Sequence, residues 1–387
     1  SNQNFYKGIQ LLQIYTTFIA KRVTSLQQSK FVDAVTASIS DYQGEVDKLG
    51  DLLVESIKKS PLRPRKISLP DPPPLLEFRA SPNKRAPTVN MGPVAQSKKL
   101  LSEVFLIDNS RTWNHIKSLW HDIYCHVFKG IDVNGICDSA HYDDIDDGPM
   151  VAGEVHFLQE PGYKLRSIAS PYRLFQVASQ PLKNDLGQLV RTLEWDCTHD
   201  QGKAKPFIQK ALSEGREVYS VDLSSATDYF PYELQQIVLE AIYDKDSPYV
   251  QLFRDVSRAE WNSELGRLSW KRGQPLGFNP SFFTFTLTHG LVLLTLLFRR
   301  KLRYNHEFFV LGDDVVILDK KLFKDYLSFL SATGCPYATD KTLVSNELAE
   351  FAGKVITKDN SYPQLKWRSV SDDNFLDLAR LIGPRIR

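Results

Sequence analysis

Apolar positions recur every three or four residues through the first sixty residues, as Phe5, Ile9 and Leu12 and then as Val46, Leu49, Leu53 and Ile57. That spacing puts them on one face of a helix, so residues 1–60 are expected to form a helical N-terminal region. Between Pro61 and Pro93 the pattern breaks: nine prolines, three of them consecutive at Pro72, Pro73 and Pro74, leave little room for regular structure. Residues 61–93 therefore read as an extended linker, made basic by Arg63, Arg65, Lys66, Lys84 and Arg85. Helical spacing returns around Trp113 to Phe128. From Glu217 the pattern changes to that of alternating strands and helices. Glu217 to Leu223 suits a strand, Tyr232 to Tyr243 a helix and Pro280 to Leu302 a long buried helix. Phe308 to Leu318 suits two short strands about a tight turn and Lys321 to Ala332 an amphipathic helix. Lys341 to Val344 and Phe351 to Thr357 are strand-like.

Composition narrows the picture a little. A chain of 387 residues, 42% hydrophobic and 24% charged, is long enough for a sizeable core and about two or three domains. A formal net charge of +2 neither announces nor excludes a nucleic-acid partner, because a basic surface can be local. Cys125, Cys137, Cys197 and Cys335 are scattered, which argues against a disulfide framework and for a reducing compartment. Cys125, His126, Cys137 and His141 lack the spacing of a zinc finger, and Asp143, Asp144, Asp146 and Asp147 lack that of a calcium loop; packed cysteines and a solvated acidic loop are the expected readings. The polar start, Ser1-Asn2, has no signal-peptide pattern. Phe282 to Phe298 is apolar and followed by Arg299, Arg300, Lys301 and Arg303, yet it is short for a bilayer and holds His289, Gly290 and four threonines. No transmembrane segment is expected.

Two features carry chemistry. Gly312-Asp313-Asp314 interrupts the apolar runs Phe308 to Leu311 and Val315 to Leu318, so a hairpin turn there would place two acids at strand tips. Asp222 ends a second strand-like run and is followed by Ser224, Ser225 and Asp228. Carboxylates from two strands that meet across a sheet can bridge two divalent ions about 3.5–4 Å apart, an arrangement suited to in-line phosphoryl transfer.

Several further motifs, in order, make residues 158 to 360 resemble the viral RNA-dependent RNA polymerases, most closely those of narnaviruses, mitoviruses and ourmia-like viruses. The stretch 160–176, EPGYKLRSIASPYRLFQ, is similar to that family's motif F, which implies Lys164, Arg166 and Arg173 as binders of the nucleotide triphosphate. VDLSSATDYFP, 221–231, matches motif A, implying Asp222 as metal ligand and Asp228 as the group that senses the ribose 2′-hydroxyl. GQPLGFNPSFFTFTLTHG, 273–290, resembles motif B, with Gly277 in a flexible loop and Ser281 placed near the ribose. The asparagine that many related polymerases carry in the following helix has no clear counterpart, since Asn279 falls too early. VLGDDVVI, 310–317, matches motif C and implies Asp313 as a second metal ligand, with Asp314 nearer the edge. YATDKTLVS, 337–345, looks like motif D, with Lys341 as proton donor to the leaving pyrophosphate. EFAGKVI, 350–356, is similar to motif E.

The resemblance implies an α+β right-hand polymerase with an antiparallel palm sheet: fingers over 94–216, palm over 217–358 with a fingers insertion at about 244–272, and 359–387 as the start of a short or truncated thumb. It implies addition of ribonucleoside triphosphates to an RNA 3′-end on an RNA template. Two magnesium ions are expected as cofactor, with manganese as substitute. Expected partners are template and nascent RNA, the nucleotides and, if the thumb is completed by another chain, a further viral subunit. The host cytoplasm is the expected site, or the mitochondrion if the chain is mitovirus-like. A reverse transcriptase and a catalytically idle RNA-binding subunit are the competing readings.

Overall fold

The computed structural model describes residues 2–13, 19–62, 64–67, 150–160 and 162–364. The Trp113 to Phe128 helix, the cysteine–histidine list, the acidic loop and most of the proline-rich stretch lie outside the described residues, as do residues 365–387.

Among the described residues the N-terminal region contains three α-helices, α1 (Asn2–Leu12), α2 (Ser25–Thr36) and α3 (Gln43–Lys59). A capping box starts α2: the Gln27 amide donates to Thr24 Oγ1 (3.2 Å) and the Thr24 amide to Gln27 Oε1 (3.0 Å), satisfying two donors left free at the helix end. Helix α3 buries Val46, Leu49, Leu53 and Ile57, the face its spacing anticipates. At the start of the proline-rich stretch the Arg65 amide donates to Ile242 O (2.7 Å). Its guanidinium donates twice to the Asp185 carboxylate, at 2.7 and 2.9 Å.

Beyond the described gap come strands β1 (Val151–Glu160) and β2 (Lys164–Pro171), helices α4 (Arg173–Arg191) and α5 (Lys205–Ser213), strand β3 (Val218–Asp222), helices α6 (Ala226–Tyr229), α7 (Tyr232–Tyr243) and α8 (Pro248–Arg258), and strands β4 (Glu260–Ser263) and β5 (Gly266–Leu268). Helix α9 (Ser281–Arg299), the hairpin strands β6 (Phe308–Leu311) and β7 (Asp314–Ile317), helix α10 (Lys320–Ala332) and strands β8 (Leu343–Ser345), β9 (Leu348–Phe351), β10 (Lys354–Thr357) and β11 (Ser361–Pro363) complete the described chain.

Three sheets organise these elements. The central one has the order β6-β7-β3-β8, every neighbouring pair antiparallel. Strands β3, β6 and β7 bury both faces, which explains their largely apolar runs. Val218, Phe309 and Val316 pack with Ile208 and Leu212 of α5, while Tyr219, Val221, Phe308, Val310, Val315 and Ile317 join the main core with α9. Helix α9 packs against α3, α4, α7, α10 and β6. It has the length and apolarity to cross a membrane, but most of it is buried inside the protein, as a core helix is.

The second sheet, β2-β1-β4-β5, joins distant parts of the chain: β1 pairs antiparallel with β2 but parallel with β4. The third, β11-β10-β9, follows the central sheet and is pinned to it where the Glu350 amide donates to Ser220 Oγ (3.0 Å).

Candidate active site

Strand register brings the acids together. Asp222, the last residue of β3, lies directly opposite Asp314, the first residue of β7. Directly paired residues of an antiparallel ladder project to the same face, with Cβ atoms roughly 4.5–5.5 Å apart. Asp313 sits in the turn between β6 and β7, and Asp222 and Asp313 are both exposed. Asp314 is partly buried, and its Oδ2 accepts the Ala352 amide (2.7 Å) from the turn between β9 and β10. Burial, then the like charges of Asp313, Asp222 and Glu350, push the Asp314 carboxyl up to about 7 against the pull of that hydrogen bond.

Lys341 reaches the same edge. Lys341 lies in the turn just before β8, the strand that pairs with β3 through Ser220 and Leu343, and its Nζ lies 3.8 Å from Asp222 Oδ2. Both side chains are more than half exposed, at 69% and 52%, so the pair adds little stability and leaves the lysine able to move. The Ala338 amide holds this segment by donating to Asp222 O (3.0 Å).

The turn bearing Asp313 is held from beneath. Gly312, at φ +62°, adopts the left-handed conformation that glycine accepts without strain. Its amide donates to Thr286 Oγ1 (3.0 Å), whose hydroxyl donates on to the buried Asp196 carboxylate (3.3 Å). His289 Nδ1 lies 2.8 Å from Gly312 O, and a carbonyl only accepts, so Nδ1 carries the proton. Nε2 then accepts the Tyr326 hydroxyl (2.6 Å). Complete burial lowers the His289 pKa to about 4, keeping the ring neutral.

Thr286, His289, Asp196 and Tyr326 were not singled out as site residues from the sequence. The polar interruptions of an apolar helix, Thr286 and His289, were the available signal. They weighed against a bilayer span when they equally marked where the helix supports the turn.

The loop before α9 ties the remaining candidates to this edge. Gln274 N–H donates to Thr227 O (2.8 Å), beside Asp228. Gly277 has φ +128°, and a Cβ there would lie 2.0 Å from Ala169 O, so its backbone runs hard against β2. The Ala169 amide donates to Leu276 O (3.0 Å) and Gln176 Nε2 to Gly277 O (2.8 Å). Ser281 is buried, its hydroxyl spent on Pro275 O (3.0 Å), so in this conformation it shapes the loop.

Asp228 lies in α6, the short helix that follows β3, and accepts the indole N–H of Trp270 (2.7 Å). Desolvation raises its pKa to about 6 despite that bond. Lys164 and Arg166 are exposed on β2, near the tip of the β1–β2 hairpin, and Arg166 pairs with Glu160 (2.8 Å). Arg173 is the first residue of α4. No hydrogen bond or ion pair joins Lys164 or Arg166 to the carboxylates among the described residues.

A central antiparallel sheet with acids at one edge, a helix beneath their turn and a basic hairpin beyond define a polymerase-type α+β fold. The crystal structure of the RNA-dependent RNA polymerase of a human picorbirnavirus shares that fold, at TM-score 0.60 and 14% identity, over 92% of this chain and 66% of that one. The sequence goes further. The chain belongs to the mitovirus RNA-dependent RNA polymerase family, whose profile matches residues 75–374.

Among curated proteins it is 28% identical over 212 residues to the RNA-directed RNA polymerase of Cryphonectria parasitica mitovirus 1 (strain American chestnut tree/New Jersey/NB631), a match covering 54% of this chain and 26% of the relative. The chain thus spans about a quarter of that viral relative's length. It is also 28% identical over 189 residues to the uncharacterized mitochondrial protein AtMg01410 of Arabidopsis thaliana, covering 45% of this chain and 90% of that protein.

Proposed function

We propose that the chain is an RNA-directed RNA polymerase that extends an RNA 3′-end with ribonucleoside triphosphates on an RNA template. The observation carrying this reading is the register that sets Asp222 opposite Asp314, with Asp313 on the adjoining turn and Lys341 beside Asp222. On this reading the central sheet with α7, α9 and α10 is the palm, and the sheet β2-β1-β4-β5 belongs to the fingers.

The residues fit a magnesium or manganese site. Among the described residues no three acids, histidines or cysteines close into a cage of their own. Two exposed carboxylates beside a partly buried third instead make an open, negatively charged edge. Magnesium suits such an edge, since it is usually held by one or two carboxylates and completed by water and substrate phosphates. Asp222 and Asp313 would hold the ions, with Asp314 at the margin, and bound metal would lower the pKa of the 3′-hydroxyl and offset triphosphate charge.

The chain's own groups supply the rest. Lys164, Arg166 and Arg173 would bind the triphosphate, and Asp228 would accept the sugar 2′-hydroxyl. Gly277 and Ser281 would shape the loop beside the nucleotide. As the 3′-oxygen forms its bond to the α-phosphorus and the bond to pyrophosphate breaks, Lys341 would give a proton to the departing pyrophosphate. The curated relative named as a mitochondrial protein supports the host mitochondrion as the working compartment, which imaging of the tagged chain would test.

Primer–template extension with Mg2+ and each nucleotide class tests the activity. Wild type should extend with rNTPs, and Asp313→Ala should lower the rate by about 10²-fold or more while RNA binding persists. Extension with dNTPs alone would point to a reverse transcriptase. No synthesis from either protein, with RNA still bound, would favour an idle binding subunit.

A further inference from the structure

Asp228 needs a donor to fix its carboxylate if it is to discriminate sugars, and the loop before α9 does not supply one. Asn279 is fully committed elsewhere: its side-chain amide donates to Gln176 O and Gln180 Oε1, both at 2.9 Å, and its backbone amide to Gln176 Oε1 at 2.8 Å. Ser281 is turned inward to Pro275 O. The donor is instead Trp270 Nε1, 2.7 Å from Asp228 Oδ1.

Trp270 is itself held firmly. Its ring is buried and meets Phe31 of α2 and Trp261 of β4 edge-to-face, with centroids at 6.1 and 5.9 Å. Its carbonyl accepts from Arg258 Nη1 (3.2 Å), and the next amide, of Lys271, donates to Val35 O (2.8 Å) in α2. An indole N–H donates and never accepts. It therefore occupies Oδ1 without competing for a sugar hydroxyl. Among the described residues no other hydrogen bond to the Asp228 side chain is found, so Oδ2 is left for a further donor.

We propose that Trp270 is a positioning residue for ribonucleotide selection, its indole N–H fixing the Asp228 carboxylate so that Oδ2 meets the nucleotide 2′-hydroxyl. This rests on the role given to Asp228 above. It also makes the N-terminal region part of substrate choice, because Phe31 and Val35 brace the Trp270 segment.

The test compares kcat/KM for GTP and dGTP on a template cytidine in wild type, Trp270→Phe, Asp228→Ala and the double variant. Loss of a hydrogen bond to a charged group should reduce the GTP/dGTP ratio about 10-fold in Trp270→Phe, mainly through KM for GTP. Asp228→Ala should reduce it at least as far, and the double variant no further than Asp228→Ala. A ratio unchanged in Trp270→Phe but reduced in Asp228→Ala would overturn the proposal, leaving Trp270 as core packing alone. A ratio unchanged in Asp228→Ala would overturn the assignment of Asp228 and this proposal with it. Should Trp270→Phe lack a cooperative unfolding transition, replacement of Trp270 by 3-benzothienylalanine removes the N–H at nearly constant ring volume, and the same outcomes decide.

Discussion

Two buried or half-buried titrating groups give the residue scale its pH dependence. Asp228 ionises near 6, because desolvation outweighs the Trp270 hydrogen bond that favours its charged form. A carboxylate binds a hydroxyl more strongly than a neutral carboxyl does, so preference for rNTPs should rise between pH 5 and 7. Removing the indole N–H removes a group that lowers this pKa, so the midpoint in Trp270→Phe should move upward. The ratio of rNTP to dNTP kcat/KM against pH checks both, and a flat wild-type profile would sink the idea.

His289 works in the other direction. Its folded pKa, about 4, lies below the unfolded value of about 6.5. The unfolded chain therefore takes up a proton first, and stability that is complete above pH 6.5 is lost as the pH falls toward 4. Linkage gives a loss of about 2 kcal/mol by pH 5 from this residue. Urea unfolding at pH 7 and pH 5 should show that increment in wild type and not in His289→Gln; equal losses would refute the assignment.

At the scale of elements, the loop before α9 works by contact of backbone with backbone. A side chain at Gly277 would combine an unfavourable φ of +128° with a collision against Ala169 O. Gly277→Ala should therefore destabilise the protein by about 2–4 kcal/mol, measured by urea unfolding, unless the loop departs from β2. The hairpin β6–β7 was legible from the sequence because glycine and two acids interrupt two apolar runs, and the structure has its turn at that place. The hairpin β1–β2 was not: residues 160–176 resemble motif F and are basic, but their local pattern does not mark a two-stranded hairpin. In the same sheet the pairing of β1 with β4 joins segments some hundred residues apart, which no local pattern announces. The strand expected at Lys341 to Val344 begins later, at Leu343, leaving Lys341 in the preceding turn beside Asp222.

At the scale of the molecule, the N-terminal region is woven into the rest. Helix α3 packs on α7 and α9, while α2 meets α6 and β5. The Gln27 side chain donates to Tyr163 O (3.0 Å) at the hairpin tip. Arg65 ties the start of the proline-rich stretch to Asp185, whose Oδ2 also accepts the Tyr243 hydroxyl (2.6 Å). Arg65→Ala should leave this partly buried acid short of its cationic partner and cost about 1–3 kcal/mol in urea unfolding. A change below a few tenths would show that the stretch is not anchored there.

The sequence by itself determined the N-terminal helical region and the main elements of the central sheet and its helices, through hydrophobic periodicity, and the identity of the acids, through their isolation within apolar strands. Tertiary structure alone decided which groups act on them. The register that sets Asp222 against Asp314, the Thr286 and His289 support under Gly312, and the Trp270 bond to Asp228 join residues 92, 23 to 26 and 42 positions apart. Such contacts depend on packing at long range, where periodicity carries no information and only the folded chain selects the partner.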